Sequence, residues 1–281
     1  MATDGATITW LGHAATKIDT PGGKSILIDP WLEHNPATPS NRQTLDSLDL
    51  MLITHGHADH MGDAVQIANA TKPDVICMVE IAGYMASHGV QKTNGINLGG
   101  TVAWNEITIT MVNALHSSGM SDGDQTVYGG VAAGYVIRLE NGLTIYHAGD
   151  TDVFSDMRLI GEMHSPDVAL LPIGGHYTMG PKGAAVAARM LGAGVVIPIH
   201  FGTFPALTGT PDQLKKEIGP DGVYVSLRSS RERASRKATL CSWRCRARHQ
   251  RWMKIGRCTR PTALGVANPL CSLAEGGCRH H

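Results

Sequence analysis

Leu50-Met51-Leu52-Ile53-Thr54-His55-Gly56-His57-Ala58-Asp59-His60 is the stretch whose reading decides the fold. Four apolar residues running into a glycine-containing turn describe a buried strand that delivers its last residues into a loop. The loop offers three imidazoles and one carboxylate between His55 and His60. Neutral imidazole nitrogen and carboxylate oxygen are the ligands that borderline divalent cations such as Zn²⁺ prefer. On extended backbone His55 and His57 point the same way. Asp59 and His60 follow where the chain turns, so they can face a second cation. A polar surface loop that happens to be rich in histidine is the bland alternative. It gives no reason for four ligand-type side chains to gather directly at a strand end.

Ligand-type residues recur at later strand ends. An apolar segment over residues 106–112 leads to His116, a second over 143–146 runs into Asp150, and a third over 195–199 ends in His200. Taken singly, His116 and His200 read as surface or core histidines, and Asp150 in Gly-Asp-Thr as a turn residue that bonds its own backbone. Together, at the ends of three separate strands, they read as one metal centre, because strand ends gathered at one edge of a sheet can converge. His34, His88 and His164 lack such placement and read as structural.

His-x-His-x-Asp-His after a hydrophobic strand resembles the signature of the metallo-β-lactamase superfamily. Longer stretches carry the resemblance further: residues 10–14 (Trp-Leu-Gly-His-Ala), 54–62, 147–151, 175–181 and 199–205. Over about residues 5–227 the chain resembles small bacterial metal-dependent hydrolases. It is similar to the L-ascorbate-6-phosphate lactonase branch and, more distantly, to N-acyl-phosphatidylethanolamine phospholipase D. The resemblance implies a two-cation site, with His55, His57 and His116 on the first ion and Asp59, His60 and His200 on the second. Asp150 bridges them. It also implies that Asp29 orients the His-rich loop by hydrogen bonds.

Two such ions a few ångströms apart lower the pKa of a water held between them, giving hydroxide at neutral pH. The expected reaction is attack of that hydroxide on an ester, lactone, amide or phosphodiester. Zn²⁺ is the expected metal and Mn²⁺ the alternative, since His/Asp ligands without Cys discriminate poorly. Asp59 counts both as a ligand and, with His147 and His176, as a candidate catalytic residue. His147 and His176 could bind an anionic group or protonate a leaving group, because imidazole titrates near neutrality. His13, His147 and His176 alike are expected either to touch substrate in the cleft or to support the ligands from behind.

The chain has 281 residues, 42% hydrophobic and 17% charged, enough to bury a full core. Its zero net charge hides a split: residues 1–227 hold 11 Lys+Arg against 22 Asp+Glu, a balance of −11, and residues 228–281 hold 13 against 2, a balance of +11. A nuclease of the ribonuclease Z type would use the same ligands, but nucleic-acid binding needs a basic footprint that the acidic body lacks. A non-catalytic metal-binding module is the other alternative, and a complete ligand set for two ions argues against it. Cys77 alone lies in the body, which fits a reducing compartment. No signal-peptide pattern opens the chain and no apolar run approaches the roughly 18 residues of a membrane span. The expectation is a cytoplasmic protein with a small-molecule substrate and no membrane or nucleic-acid partner. Assembly into a homo-oligomer is left open.

The order of elements predicts an α/β protein, a four-layer αββα sandwich with helices outside two packed sheets. Helices are expected over 62–70, 80–88, 181–191 and from Thr210-Pro211 to residue 218. Strands are expected over 6–11, 25–28, 50–53, 74–79, 106–112, 131–139, 143–146, 167–171 (stopped by Pro172), 195–199 and 222–227. The polar, Gly-rich stretch 117–130 predicts an irregular, mobile loop that could cover the cleft. The domain is expected to span residues 1–227. Beyond it, residues 228–281 turn abruptly Arg- and Cys-rich, with no apolar periodicity. Cys241, Cys245, His249 and Cys258 match no usual zinc spacing, so the segment reads as a disordered extension or as text translated out of frame.

Overall fold

The structure, a computed structural model, describes residues 2–3 and 5–220. The boundary at residue 227, the expected strand 222–227 and the tail 228–281 lie outside the described residues. The first sheet takes its strands in chain order: β1 (Ala2–Thr3), β2 (Ala6–Gly12), β3 (Ala15–Asp19), β4 (Ser25–Ile28), β5 (Leu50–Ile53), β6 (Asp74–Met78) and β7 (Thr93–Ile96). From β4 to β7 the pairings are parallel, so these strands end at the same edge. Three helices belong to this half: α1 (Ala58–Met61), α2 (Ala64–Thr71) and α3 (Val79–Ser87).

The second half opens with β8 (Thr101–Trp104) and β9 (Ile107–Asn113), then a separate ribbon of β10 (Gly119–Asp122) and β11 (Gln125–Tyr128). It continues with β12 (Ala133–Arg138), β13 (Thr144–His147), α4 (Met157–His164), β14 (Val168–Pro172), α5 (Pro181–Leu191), β15 (Val195–Ile199) and α6 (Pro211–Ile218). Its six-stranded sheet runs β15-β14-β13-β12-β9-β8.

Alternating side chains show why this sheet reads as unbroken apolar runs. On β14, Val168 and Leu170 join the core shared with the first sheet, while Ala169 and Leu171 join the core under the helices. Ile197 and Ile199 of β15 face the first core and Val196 the second. A strand buried on both faces has no polar side to show. Sheet packs on sheet with helices outside, the expected αββα sandwich. No helix among the described residues is long and apolar enough to cross a membrane.

Tyr135, fully buried on β12, crosses between the sheets and shares its hydroxyl proton between the carbonyls of Ile53 (2.8 Å) and Ile76 (3.2 Å). It thereby anchors the end of β5, one residue before the His-rich loop. Y135F is expected to lower stability by about 1–2 kcal/mol, measured by urea unfolding. An unchanged midpoint would show the clamp to be idle.

Helix 181–191 and strand 195–199 lie where the sequence predicts them, and Thr210 caps α6 through a reciprocal bond with Gln213. Other expectations need correction. Residues 117–130 form the β10–β11 ribbon, not an irregular loop, because Met120 is buried beneath it and Ser118 ties it down. Ser118 Oγ accepts from Gly56 N (3.1 Å) and donates to Gly129 O (2.9 Å). Pro172 ends β14 inside the ladder, opposite Ile199, instead of stopping the strand before it. The expected helix 62–70 is α2, which starts at Ala64, and an unexpected short helix, α1, precedes it and carries Asp59 and His60. Strands β3, β7 and β8 and helix α4 carry short or mixed patterns that the periodicity does not reveal.

Candidate metal centre

Asp29 follows β4 in a left-handed conformation (φ 54°) and reaches across to the next strand's loop. Its Oδ1 accepts from Thr54 N (2.9 Å) and its Oδ2 from Thr54 Oγ1 (2.9 Å) and His60 Nδ1 (2.8 Å). With Nδ1 held this way, His60 turns Nε2 toward the centre, which is how an outer carboxylate fixes a ligating imidazole. Gly149 (φ 60°) makes the turn that brings Asp150 in after β13. A Cβ there would lie 2.8 Å from Ala133 O and from Thr54 Cβ, so the position needs glycine.

The structure brings all seven predicted ligands together. His55 Nε2 lies 3.0 Å from His57 Nδ1, which lies 3.3 Å from His116 Nε2. Ligand nitrogens at 2.0–2.1 Å from a tetrahedral Zn²⁺ are about 3.3 Å apart, so this trio has the spacing of a cation site. A second group gathers His13, Asp59, His60 and His200, and Asp150 stands between the two. Asp150 Oδ2 is 3.6 Å from His116 Nε2, 3.2 Å from His60 Nε2 and 2.9 Å from His200 Nε2.

The contacts with His60 and His200 lack hydrogen-bond geometry. His60 Nε2, both His200 nitrogens and Asp150 Oδ1 are buried and make no hydrogen bond. Buried polar atoms without hydrogen bonds cost free energy, and four of them converging on one space fit a cation bound there. Burial holds His55, His57 and His116 below the ordinary histidine range, keeping them in the neutral form that binds metal. Burial alone would lower His60 too, but Asp150 and Asp29 outweigh it and raise it well above that range. Burial works to raise the Asp59 carboxyl, yet the hydrogen bond from His13 and the charge of His60 hold it low.

The further catalytic candidates do not meet here. His147 is fully buried, with Nε2 3.3 Å from Ala14 O and Nδ1 accepting from Gly149 N at 3.2 Å. Both nitrogens serve backbone, so His147 pins two strand ends and offers no proton to the cleft. That leaves the supporting role expected for it and removes the expected proton donor. His176 sits on an exposed turn, edge-on to Tyr177 with ring centroids 4.4 Å apart, and joins none of the ligand groups. His34 joins Glu33 and Asp63 in a mostly exposed group, where Asp63 Oδ2 already accepts from Leu32 N and Glu33 N. Thr203, which lies in the resembling stretch 199–205 but carries no expected role there, has its Oγ1 2.9 Å from His13 Nδ1.

Comparison with known proteins agrees with this geometry. A family profile described as "Beta-lactamase superfamily domain" matches residues 24–201, including Asp29, the whole His-rich loop, Asp150 and His200. The chain belongs to the metallo-β-lactamase superfamily. It is 52% identical over 218 residues to a UPF0173 metal-dependent hydrolase of Koribacter versatilis, covering 78% of this chain and 94% of the relative. A UPF0173 metal-dependent hydrolase of Methanopyrus kandleri is 44% identical over 220 residues, with 78% and 94% covered. Among solved structures it is similar to Igni18, a metallo hydrolase from Ignicoccus hospitalis, with TM-score 0.69 and 34% identity over 79% of this chain and 94% of that one. This superfamily member is a metal-dependent hydrolase, and the converging His and Asp side chains are where it can bind metal.

Proposed function

We propose that this hydrolase holds two divalent cations, Zn²⁺ with Mn²⁺ as the alternative, and cleaves an ester, lactone or phosphodiester of a small molecule. The observation that carries the reading is Asp150, one buried carboxylate oxygen of which faces nitrogens from both ligand groups. A cation pair there would polarise a carbonyl or phosphoryl oxygen and lower the pKa of water from about 15.7 toward roughly 7.

The chain's own residues supply position and exclusion. Thr54, whose Oγ1 is 3.0 Å from His55 Nδ1, and Asp29 fix the ring planes of His55 and His60. Ser117 Oγ lies 3.2 Å from His57 Nε2 and does the same for that ring. The β10–β11 ribbon packs Met120 over Gly56 and keeps bulk water from that side of the loop. Asp59, its side chain 30% exposed where His60 and Asp150 are sealed, is the acidic ligand that a substrate can reach.

The test is to strip the protein with chelator, reload it with Zn²⁺ or Mn²⁺, count bound metal by mass spectrometry and assay lactone, ester and phosphodiester panels. Two equivalents per chain and hydrolysis that disappears on stripping are expected. A single equivalent would sink the two-cation reading. Two equivalents with no hydrolysis of any panel member would sink the substrate class.

A further inference from the structure

We propose that His13 and Thr203 form a relay that aims the Asp59 carboxylate at the second cation, so that affinity for that cation depends on two residues that do not ligate it. The inference rests on the two-cation reading above. His13 Nε2 meets Asp59 Oδ2 at 3.1 Å in hydrogen-bond geometry, and His13 Nδ1 meets Thr203 Oγ1 at 2.9 Å. Both nitrogens are therefore hydrogen-bonded, whereas His60 Nε2 and His200 Nε2 face the Asp150 carboxylate at 3.2 and 2.9 Å without hydrogen-bond geometry, and His200 Nδ1 makes no hydrogen bond. That difference separates support from ligand inside one cluster. In this cluster the nitrogens of His60 and His200 that face Asp150 are open to a cation, while the two nitrogens of His13 are turned to Asp59 and Thr203. The Asp59 carboxylate can only accept, so the proton of a neutral His13 sits on Nε2 and Nδ1 accepts from the Thr203 hydroxyl, whose other acceptor in reach is Phe201 O at 3.5 Å.

The relay fills a gap in the pattern of support. His60 is held by Asp29, His55 by Thr54 and His57 by Ser117. Among the described residues, His13 is the one group whose hydrogen bond reaches the Asp59 carboxylate. The part-exposed Asp59 side chain would otherwise be free to rotate toward solvent.

His13 itself is held from several sides. Gly12, at φ 122°, makes a corner where a Cβ would lie 2.8 Å from Ala37 C, and His13 follows in a left-handed conformation (φ 52°). Its carbonyl accepts from Trp10 Nε1 (2.7 Å) and His200 N (2.8 Å). Its ring lies 3.9 Å, centroid to centroid, from that of His200. A non-glycine residue kept in that conformation at a functional site is strain that the surroundings over-determine. Here it places one imidazole against two ligands of the same ion.

The experiment titrates metal-free wild type, T203V, T203S and H13F with Zn²⁺ against a chromophoric chelator and resolves the two binding steps. T203V removes the hydroxyl at nearly constant volume, and H13F keeps the ring against His200 while removing both hydrogen bonds. Loss of an outer partner weakens metal binding by about 10–100-fold. T203V is expected at the lower end and H13F at the upper end, on the second equivalent alone, with T203S restored to wild type.

Thermal melting of the metal-free variants checks folding, and if H13F does not fold the T203V and T203S pair decides. Unchanged second-step affinity in T203V, or a loss that T203S does not restore, overturns the relay while leaving the two-cation reading intact. A wild type that binds one equivalent overturns that reading and the relay with it.

Discussion

D150N and H57A are each expected to reduce kcat/KM by about a thousandfold or more, a loss of several kcal/mol of charge stabilisation in the transition state. Asp150 presents one oxygen to nitrogens from both ligand groups, and the amide of asparagine removes the negative charge while keeping the shape. His57 contributes a nitrogen to the first trio and is only part-buried, so truncating it leaves no large cavity. Circular dichroism and melting of both metal-free variants should stay close to wild type. Assay of both on whichever panel substrate the wild type cleaves is the check. Undiminished turnover in either would remove that residue from the centre.

Stripped of metal, the protein is expected to be most stable near pH 6.5 and to lose stability in both directions. On the acid side the cause is burial, which holds His13, His55, His57, His116 and His147 below the ordinary histidine value and brings His13 from 6.5 down to about 4. Below pH 6.5 the unfolded chain takes up protons that the folded chain declines. Each fully buried group then costs about 1.4 kcal/mol per pH unit. For His13 that slope persists down to pH about 4. The part-exposed His57 and His116 contribute less.

On the alkaline side His60 decides. Burial opposes its charge, but Asp150 and Asp29 raise it well above 6.5. Its stabilisation is complete below 6.5 and is lost as pH climbs through the raised value. Urea unfolding of chelated protein at pH 5, 6.5 and 8 tests this, and a midpoint that does not fall between 6.5 and 5 refutes it. In the metal-loaded protein the acid-side loss should be steeper, because protons compete for the ligands.

What could be read in advance depended on how local the signal was. The strand Leu50–Ile53 and its loop are legible because an apolar run, a glycine and four ligand-type residues lie in one continuous segment. Helix α5 is legible from proline at its start and glycine at its end. The ribbon over residues 119–128 is not, because its four-residue strands alternate weakly and gain their order from burying Met120 and from the tie through Ser118. The three second-tier histidines show the limit most clearly. Gly-His-Ala at 13, His-Ala-Gly at 147 and Gly-His-Tyr at 176 look equivalent along the chain. In space one hydrogen-bonds the Asp59 carboxylate, one bonds backbone and one sits on an exposed turn.

The sequence by itself determined the metal-binding residue types, their delivery at the ends of successive strands, and hence the superfamily and its αββα layers, because short apolar runs and motifs are written within a few residues. Only the tertiary structure decided which partner each histidine nitrogen meets. That depends on partners far along the chain: Asp59 lies 46 residues from His13, Thr203 lies 190 from it, and Ala14 lies 133 from His147. Hydrogen-bond satisfaction is a property of the folded neighbourhood, and a side chain's neighbours are set by packing, not by adjacency in the chain.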